Sequence, residues 1–330
     1  MACTLIIRLS AMGDVAMTVP VLYSVADRYP DDKFVLLTKS NFQSLFINKP
    51  PNLEIYAVHT KGRHKGIKGM WKLLHELNEK KIDRVADLHQ VLRSVEIDCY
   101  FGLKGKKIAV IDKGRADKKA LTRKNNKKYS QLKSSVERYR NVFEKLGYDA
   151  SLNFSSLFED KQKHDEIRIG IAPLAKHAGK IYPAAKMNEV IRLLCEKPAI
   201  KIFLFGGADE RKHLENLAEN RKCVELTTGQ LSFHEELLLM NSLDVMLSMD
   251  SANMHLASLV NIPVISIWGA THPYAGFYGY RQNPDNAVQA DMPCRPCSVF
   301  GNKPCRYGTY ACFSQIKPEM IVEKIMNVIN

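Results

Sequence analysis

The chain has 330 residues, enough for two domains, and its composition is that of a soluble globular protein. Hydrophobic residues make up 45% of it and charged residues 25%, which excludes a disordered chain. No stretch approaches about 18 uninterrupted apolar residues and no basic leader precedes the apolar N-terminal patch, so we expect a cytoplasmic protein. The formal net charge of +13 calls for an anionic partner or another explanation.

Strand-like apolar segments alternate with amphipathic helical segments in both halves of the chain. This alternation predicts an α/β fold with parallel sheets, in two separately folded halves around a cleft. In the first half we expect strands at residues 5–9, 34–38, 53–58, 84–87 and 107–111, and helices at 15–28, 68–79 and 134–146. In the second half we expect strands at 168–172, 201–205, 223–225, 245–248 and 264–267. Residues 159–166 form the expected linker, and residues 317–330 a terminal helix.

A carboxylate stands at the first strand-to-helix junction. Gly13 allows a tight turn after the strand at residues 5–9, and Asp14 lies at or beside the start of the next helix. A carboxylate in this position could accept a proton from a substrate. The alternative is that Asp14 only caps the helix, and the local pattern leaves both interpretations open.

Most of the excess positive charge falls in residues 104–128, which contain eleven Lys or Arg against two Asp. Such a segment is attracted to phosphates on nucleic acid, to an anionic membrane face or to a phosphorylated acceptor. A merely solvated loop is the alternative. Nucleic acid is the weaker candidate because no aromatic stacking platform, zinc finger or helix-turn-helix accompanies the basic residues.

The junction at residues 172–183 follows the first strand of the second half and contains two lysines. Lys176 and Lys180 lie in a flexible loop that leads to Pro183 and a helix, an arrangement suited to neutralising a diphosphate. Solvated lysines are the alternative. Neither a P-loop motif nor a G-x-G-x-x-G fingerprint is present, so phosphate binding would depend on loops and helix ends.

Residues 245–274 form the most informative segment of the chain. A short apolar strand leads into a helix-capping sequence that begins at Asp250, and a second apolar strand follows the helix. In open α/β sheets, ligands bind at the carboxyl ends of strands, where a helix N-terminus offers N–H groups to an anion. With His255 on the same helix, the segment favours a nucleotide or sugar phosphate, although an ordinary capped helix would have the same pattern.

The eight cysteines divide into two groups. The first four are scattered, and we expect them to be plain apolar residues in a reducing compartment. The last four, Cys294, Cys297, Cys305 and Cys312, have the spacing C-x2-C-x7-C-x6-C in a region rich in Gly and Pro. Four thiolates so spaced could bind structural Zn²⁺, and unligated thiols or disulfides are the alternatives.

Six short motifs, each placed at a strand end, occur together in a characteristic order. They are SAMGD at residues 10–14, DLHQVLRS at 87–94, KIYP at 180–183, FGGADE at 205–210, DSANMH at 250–255 and WGATHP at 268–273. In order and spacing they resemble the lipopolysaccharide heptosyltransferase family, glycosyltransferase family nine. The resemblance implies a GT-B fold, in which two Rossmann-like domains face each other across a cleft. It places an acceptor-binding domain at residues 1–160, a nucleotide-sugar domain at 161–316 and a terminal helix at 317–330 that could pack back on the first domain.

The resemblance also implies the chemistry. The reaction would be an inverting, metal-independent transfer of heptose or a related sugar from a nucleotide-sugar, with ADP-heptose the leading donor. Asp14 matches the family's proposed catalytic base. Lys180 matches a phosphate-contacting lysine, and the helix N-terminus at Ser251 and Ala252 would supply backbone donors to the leaving diphosphate. The family often has Gly where this chain has Ala252, a substitution small enough to keep that contact.

Other matched positions divide between the two substrates. Donor contacts are implied for Glu210, Leu231, Asp250, His255, Thr271 and His272, and acceptor contacts for Arg8, Gly13 and Arg93. For Glu210 a helix-starting glutamate is the alternative, and for His255 a buried helix histidine. No cofactor is expected for catalysis, apart from the structural zinc considered above.

The implied acceptor is the inner core of lipopolysaccharide, keto-deoxyoctulosonate on lipid A, whose anionic groups gather at the cytoplasmic face of the inner membrane. The resemblance and the basic segment together predict peripheral membrane association and no nucleic-acid partner. Two rival functions differ in class. One is another GT-B enzyme, a transferase or epimerase with a different nucleotide-sugar, and the other is a non-catalytic saccharide-binding homologue.

Overall fold

The computed structural model describes residues 1–162 and 164–329. They form two compact units, and the chain passes between the units three times: unit 1 is Met1–Lys113 with Ser135–Ser155, and unit 2 is Gly114–Ser134 with the chain from Ser156 onward. Lys163 of the expected linker and Asn330 of the expected terminal helix lie outside the described residues.

Unit 1 is built on a parallel sheet of five strands. Strands β1 to β5 are Cys3–Ile7, Lys33–Lys39, Leu53–Val58, Arg84–Asp87 and Lys107–Val110, in the order β3-β2-β1-β4-β5. Helices α1 to α6 are Met12–Ala16, Val19–Arg28, Gly66–Asn78, Leu92–Leu103, Arg115–Leu121 and Ser135–Leu146, and a 3₁₀ turn spans Ser40–Leu45. All of these except α5 belong to unit 1. The apolar residues of β1 and β2 are almost fully buried, as strands covered on both faces should be.

Unit 2 repeats the design with six strands. Strands β6 to β11 are Ile167–Ala172, Ile200–Leu204, Val224–Leu226, Val245–Met249, Val264–Trp268 and Ala287–Gln289, in the order β11-β10-β9-β6-β7-β8, all parallel. Helices α7 to α12 are Ala184–Cys195, Arg211–Ala218, Phe233–Asn241, Ala252–Leu259, Ala311–Ser314 and Pro318–Ile329. Four 3₁₀ turns are Ala178–Lys180, Ala208–Glu210, Pro273–Ala275 and Pro284–Asn286.

Both sheets therefore have the Rossmann strand order, and the predicted α/β class with parallel sheets is confirmed. The order reverses between β1 and β4 in unit 1, and between β6 and β9 in unit 2. At such a switch point the loops after the two strands leave in opposite directions and open a crevice for ligand. The residues that follow these four strands are the ones on which function should be sought.

The helix expected at residues 15–28 is divided in two, at Met17 and Thr18. Pro20 has no N–H to donate to the carbonyl of Ala16, so an uninterrupted helix would lose a hydrogen bond there. Instead, the Thr18 hydroxyl donates to the carbonyl of Val15 at 2.7 Å, and α2 begins at Val19 with the proline in its first turn.

Residues 114–134 and the terminal helix differ from the expected domain division, because both pack within unit 2. In the first segment, the amide of Leu132 donates to the carbonyl of Tyr274 at 3.0 Å. The Lys118 ammonium lies 4.3 Å from the ring centre of Phe277. Helix α12 buries Ile321, Val322 and Ile325 in the core of unit 2, where it packs on α7. An amphipathic stripe shows that a helix needs a partner but does not identify which sheet provides it.

Two of the cysteines expected to be plain apolar residues are bonded to each other. Cys195 at the end of α7 and Cys223 just before β8 form a disulfide, with their Cα atoms 6.0 Å apart. Their separation of 28 residues gave no indication of the pairing, because the sheet brings the ends of α7 and β8 together only after folding. Within residues 1–162 and 164–329, no helix combines the length and the apolar character needed to cross a membrane.

Candidate functional site

Arg8 and Asp14 form the centre of the candidate site in unit 1. Arg8 follows β1 and is buried, and its Nη2 lies 2.8 Å from Oδ2 of Asp14 in α1. The same carboxylate oxygen accepts a hydrogen bond of 3.2 Å from the amide of Ala11. About a third of the Asp14 side chain stays exposed (34%). The carboxylate is therefore fixed in position by a cation and an amide while remaining accessible to a ligand.

Arg8 is held from several sides. Its Nη1 donates to the carbonyl of Leu88, directly after β4, at 2.7 Å. Its guanidinium carbon lies 5.7 Å from the ring centre of Tyr139 on α6, and the Tyr139 hydroxyl donates to the carbonyl of Asp14 at 3.2 Å. Arg8 Nε is buried without a hydrogen-bond partner among the described residues. Arg8 thus joins the loops after β1 and β4 at the switch point.

His89 completes this part of unit 1. Its Nδ1 accepts a hydrogen bond of 3.3 Å from the amide of Leu9, so that nitrogen carries no proton. Burial, reinforced by the positive charge of Arg8, lowers the pKa of His89 to about 4. The imidazole is neutral at physiological pH, which leaves Arg8 as the cation that faces Asp14.

The other two expected acceptor residues lie in different surroundings. Gly13 is in the first turn of α1. Arg93 stands at the start of α4, where its Nη1 donates to the carbonyl of His64 at 2.9 Å and its side chain lines a groove between α3 and α4. Among the described residues it has no contact with Arg8 or Asp14.

Two carboxyl groups share a buried site at the end of β4. Asp87 accepts hydrogen bonds from the amides of His89 and Gln90 at 2.7 and 2.8 Å, and from the Ser94 hydroxyl at 2.7 Å. Burial, together with the negative charge of Asp87, raises the pKa of Asp98 on α4 far above its ordinary value. Asp98 therefore keeps its proton at neutral pH and shares it with Asp87. Asp87, through its hydrogen bond from Ser94, fixes the start of α4.

Lys180 and Asp250 form the corresponding centre in unit 2. Lys180 ends the 3₁₀ turn after β6, and Asp250 directly follows β9, so the two residues stand on opposite sides of the switch point. Lys180 Nζ lies 2.8 Å from Asp250 Oδ2, with 15% of the lysine side chain and 4% of the aspartate side chain exposed. The two atoms lie within ion-pair distance, but the contact does not have the geometry of a hydrogen bond. Lys180 is held in place and keeps N–H groups for a second anion.

Helix α10 begins beside this pair and has no side-chain cap. Ser251 is the N-cap residue, but its hydroxyl pairs with the Ser248 hydroxyl at 3.2 Å and accepts no hydrogen bond from the helix. The first N–H groups of α10, beginning with Ala252, are left for another acceptor, and the helix dipole favours an anion. His255 is buried one turn further along the helix.

Gly301 restrains the aliphatic part of Lys180. Its φ is +71°, and a Cβ at this position would lie 2.6 Å from Lys180 Cγ. The carbonyl of Gly301 also accepts a hydrogen bond of 3.3 Å from the amide of Gly179, whose own carbonyl accepts one of 2.8 Å from the amide of Ala270. Three loops of unit 2 are thereby packed together around Lys180.

Thr271 and His272 lie in the loop after β10, and both are buried. His272 Nδ1 accepts from the amide of Tyr274 at 3.1 Å, and its Nε2 pairs with the Tyr129 hydroxyl at 2.5 Å. Burial, together with the positive charges of Arg295 and Lys127, lowers the pKa of His272 to about 4. The histidine is therefore neutral and holds a loop in place. The Thr271 hydroxyl is buried without a partner within the described part of the chain.

Arg295 holds the loop after β10 through hydrogen bonds to its backbone carbonyls. The side chain is almost fully buried and donates to the carbonyls of Gly269, Trp268 and Thr271 at 2.6, 3.0 and 3.1 Å, and also to that of Ala290. Sequence reasoning missed Arg295, Tyr129, His89 and Tyr139. For Arg295 the signal was an arginine between two cysteines, C-R-P-C, and for His89 it was the position of the residue in the motif DLHQVLRS, whereas Tyr129 and Tyr139 had no signal.

Glu210 and Leu231 give no geometric sign of a nucleoside site. Glu210 Oε2 accepts a hydrogen bond of 2.8 Å from the amide of Gly207 and so caps its own 3₁₀ turn, as the alternative interpretation expects. Leu231 is half-buried in the turn before α9. The structure brings neither residue into contact with Lys180 or Asp250 in the segments it describes.

All four C-terminal cysteines line one small cavity of about 20 Å³ in unit 2, and each is a free thiol. Disulfides among them are therefore not formed in this structure. Across residues 1–162 and 164–329, however, no three His, Cys, Asp or Glu side chains are arranged as a metal-binding group. The cavity gathers donors of the type that zinc prefers without placing them at coordination distance.

In each unit, one pair of the charged residues predicted for ligand binding lies at the switch point of a Rossmann sheet: Arg8 with Asp14 in unit 1, and Lys180 with Asp250 in unit 2. In unit 2 a cation lies beside an uncapped helix N-terminus, an arrangement that favours the binding of an anion. Two units of this kind define the class of two-domain Rossmann-like α/β proteins, in which ligands bind at the switch points.

Comparison with known proteins identifies the family within this class. The sequence model of glycosyltransferase family 9 (heptosyltransferase) matches residues 70–310, and the chain belongs to this family. It is a glycosyltransferase with two Rossmann-like domains, the GT-B fold that its solved relatives share.

Individual relatives match over nearly the whole chain. Lipopolysaccharide heptosyltransferase 1 of Pseudomonas aeruginosa is 23% identical, over 97% of this chain and 96% of its own. The glycosyl transferase family 9 structure from Veillonella parvula has a TM-score of 0.78 at 19% identity, covering 99% of this chain and 97% of that one. The structure of Escherichia coli heptosyltransferase WaaC with ADP-2-deoxy-2-fluoro heptose has a TM-score of 0.70 at 19% identity, covering 98% and 99%.

Proposed function

We propose that this glycosyltransferase transfers a heptose from ADP-heptose to the inner core of lipopolysaccharide, at the cytoplasmic face of the inner membrane. The observation that carries the donor half of the proposal is the Lys180–Asp250 pair beside the uncapped N-terminus of α10. This arrangement suits a diphosphate, since a fixed ammonium and free backbone N–H groups both favour negative charge. Two of the relatives named above are heptosyltransferases, and one of these two is solved with ADP-2-deoxy-2-fluoro heptose.

The proposed reaction is a single displacement with inversion. Asp14 takes the proton of the acceptor hydroxyl as that oxygen forms its bond to the anomeric carbon of the donor sugar. The bond between the anomeric carbon and the phosphate oxygen breaks, and the nucleoside diphosphate departs. Lys180 and the N–H groups at Ser251 and Ala252 stabilise the charge that develops on the diphosphate, a task that the protein can perform without a metal ion.

Arg8 has two roles in this proposal. It orients the Asp14 carboxylate through the contact of 2.8 Å, and its unpartnered Nε lies at the switch point where the anionic acceptor is expected. The second role makes Arg8 an acceptor-side cation, while Arg93 belongs to the groove between α3 and α4.

We further propose that catalysis needs no cofactor, and that the cavity of the four cysteines holds structural zinc. Four thiols from one 19-residue segment, 294–312, line the same small cavity, and a zinc ion would have to draw them together. The nearby cations Lys127 and Arg295 would offset part of the charge of a tetrathiolate.

The experiment that tests the proposed function measures release of ADP from ADP-heptose, with and without keto-deoxyoctulosonate–lipid A, for the wild type and Asp14→Asn. Acceptor-dependent release should fall by about 10²- to 10⁴-fold in the variant, while binding of ADP is unchanged because Asp14 lies in the other unit. Addition of a chelator should leave the initial rate unchanged. Release without acceptor would favour an epimerase, and ADP binding without release on any core acceptor would favour a saccharide-binding protein.

A paired substitution tests the donor site. Lys180→Ala should reduce kcat/KM for the donor by about 10²-fold or more, because it removes the cation that stabilises the leaving group and leaves Asp250 uncompensated. Lys176→Ala is the matched control, since Lys176 belongs to the same loop but is exposed. Equal losses in both variants would contradict the assignment of Lys180.

A further inference from the structure

An open apolar groove of about 720 Å³ lies between α3 and α4 in unit 1, apart from the Arg8–Asp14 contact. Its lining is mostly apolar and includes residues of both helices. From α3 it contains Ile67, Met70 and Trp71, and from α4 it contains Leu92, Val95 and Leu103. The groove is formed by one unit only.

The apolar residues at this groove are unusually exposed. Ile67 is 80% exposed, Trp71 65%, Leu92 79% and Leu103 91%. They recur at helical spacing, Ile67 with Trp71 on α3, and Leu92 with Val95 and Leu103 on α4, so each helix presents a continuous stripe. A patch of this kind on a folded domain marks a surface that is covered by a partner.

Lysines flank the α3 side of the same stripe, and on the α4 side Arg93 and Glu96 line the groove. Residues 59–72 contain five cations, Lys61, Arg63, Lys65, Lys68 and Lys72, and no Asp or Glu. The four lysines are exposed, and among the described residues none of them forms an ion pair. Apolar and aromatic side chains with interleaved lysines on one helix are typical of a helix that lies in a membrane interface, where lysines meet anionic headgroups.

We propose that the face formed by α3 and α4 docks on anionic lipid at a membrane surface, with Trp71, Ile67 and Leu92 entering the boundary between headgroups and acyl chains. A second copy of the chain is a poorer occupant, because a two-fold contact through this patch would bring the same lysines of both copies together. The proposal draws on the proposed function only for the expectation that the acceptor resides in a membrane.

This surface replaces the basic segment 104–128 as the main membrane contact. Lys127 of that segment donates to the carbonyls of Pro293, Arg295 and Pro296 at 3.2, 2.8 and 3.1 Å. Lys118 lies over the ring of Phe277. These two lysines have structural roles in unit 2, whereas the lysines of residues 61–72 extend into solvent beside apolar side chains.

The chain provides its own probe for the test. Of its two tryptophans, Trp268 is fully buried and Trp71 is exposed, so a change in the emission on docking reports on Trp71. With vesicles of phosphatidylethanolamine and phosphatidylglycerol at low salt, we expect co-flotation of the full chain and a blue shift of tryptophan emission. Both effects should be weak with phosphatidylcholine alone. Trp71→Phe should abolish the shift.

Two variants and two matched controls isolate the surface. Ile67→Ser/Trp71→Ser/Leu92→Ser should lower vesicle binding by about tenfold or more, whereas Leu238→Ser/Met320→Ser, exposed apolar residues of unit 2, should not. Vesicle binding should also fall by on the order of fivefold per lysine when four lysines are changed together to Gln, namely Lys61, Lys65, Lys68 and Lys72. The same change at Lys197, Lys212, Lys222 and Lys303, exposed lysines of unit 2, should have little effect.

The proposal is overturned if the wild type does not bind anionic vesicles, if the serine triple variant binds as the wild type does, or if Trp71 becomes shielded by concentration-dependent dimerisation without lipid. Activity on a soluble, deacylated acceptor separates this proposal from the proposed function. The serine triple variant should keep that activity while losing activity on vesicle-bound acceptor. If the wild type binds vesicles but transfers no sugar, the docking surface stands and the proposed function fails.

Discussion

At the scale of single residues, the backbone conformation of Gly301 and the position of the Lys180 side chain depend on each other. The φ of Gly301 is left-handed, and a methyl group on its Cα would lie 2.6 Å from Lys180 Cγ, so only glycine fits without displacing the lysine. A small residue outside the six strand-end motifs thus restrains Lys180, the cation proposed to bind the diphosphate.

Gly301→Ala should therefore impair donor use beyond its effect on stability. Gly308 is the matched control, because its φ of +70° imposes the same backbone strain while nothing lies within 4 Å of an added Cβ. We expect both variants to lose about 1–2 kcal/mol of unfolding free energy. Only Gly301→Ala should raise KM for the donor, measured by steady-state kinetics. Similar kinetics for the two variants would show that Lys180 adapts freely.

The Asp87–Asp98 pair predicts a pH dependence of stability. The pKa of Asp98 is raised in the folded protein by burial and by Asp87, so the folded state holds a proton that the unfolded state releases above the ordinary carboxyl pKa of about 4. The contribution of Asp98 to the unfolding free energy is therefore greatest at acid pH, and it is lost as the pH rises towards the raised pKa of the folded state.

Asp98→Asn should remove this dependence, because the amide keeps a donor towards Asp87 and does not titrate. Urea unfolding from about pH 5 to about pH 9 should show a smaller decline in the variant than in the wild type. Asp31→Asn, at an exposed carboxylate, should leave the wild-type profile unchanged. If the unfolding free energy of the wild type declines no more steeply with pH than that of Asp98→Asn, the assignment is contradicted.

At the scale of elements, the loop after β10 is held by a segment far away in the chain. Residues 127–132 contribute Lys127, Tyr129 and the amide of Leu132, which contact the cysteine loop, His272 and Tyr274. Arg295 then ties the cysteine segment to the carbonyls of the same loop. The loop after β10 is therefore held in place by contacts that no local motif reveals.

The cysteine segment gives the prediction at this scale. Protein purified without chelator should contain about one zinc per chain by elemental analysis that also measures iron. Cys294→Ser/Cys297→Ser should lose the metal, whereas Cys99→Ser, an exposed thiol of unit 1, should retain it. Absence of metal together with four thiols that react with a labelling reagent would favour the unligated alternative.

At the scale of the whole molecule, neither unit is a single stretch of chain. The polypeptide leaves unit 1 at Lys113, contributes residues 114–134 to unit 2 and returns with α6. Helix α6 buries Val136, Tyr139, Val142, Phe143 and Leu146. At about 2 kcal/mol for each buried side chain, this amounts to roughly 10 kcal/mol, which is comparable to the net stability of a domain.

A fragment of residues 1–113 should therefore fail to unfold cooperatively, while a fragment of residues 1–155 should unfold in a single transition, followed by circular dichroism in urea. In the longer fragment, replacement of residues 114–134 by a flexible linker of equal length should be tolerated, because that segment packs within unit 2. Cooperative unfolding of 1–113 with the midpoint of 1–155 would contradict the role assigned to α6.

Local periodicity predicted ten of the eleven strands that the described residues form, about half of the helices, and the α/β class. It could do so because the burial of a strand and the amphipathic face of a helix show in the pattern of neighbouring residues. Motifs at strand ends determined the family and singled out Asp14, Lys180, Asp250 and the start of α10, since the carboxyl ends of parallel strands meet at one edge of a sheet.

Only the tertiary structure decided which distant segments meet. The Cys195–Cys223 disulfide, the contacts of Arg295 and Tyr129, the collision that forbids a side chain at Gly301 and the packing of α12 within unit 2 all join residues far apart in the chain. The exposed stripe of α3 and α4 belongs to the same class, since a helical apolar pattern looks identical whether its partner is the protein core or a membrane.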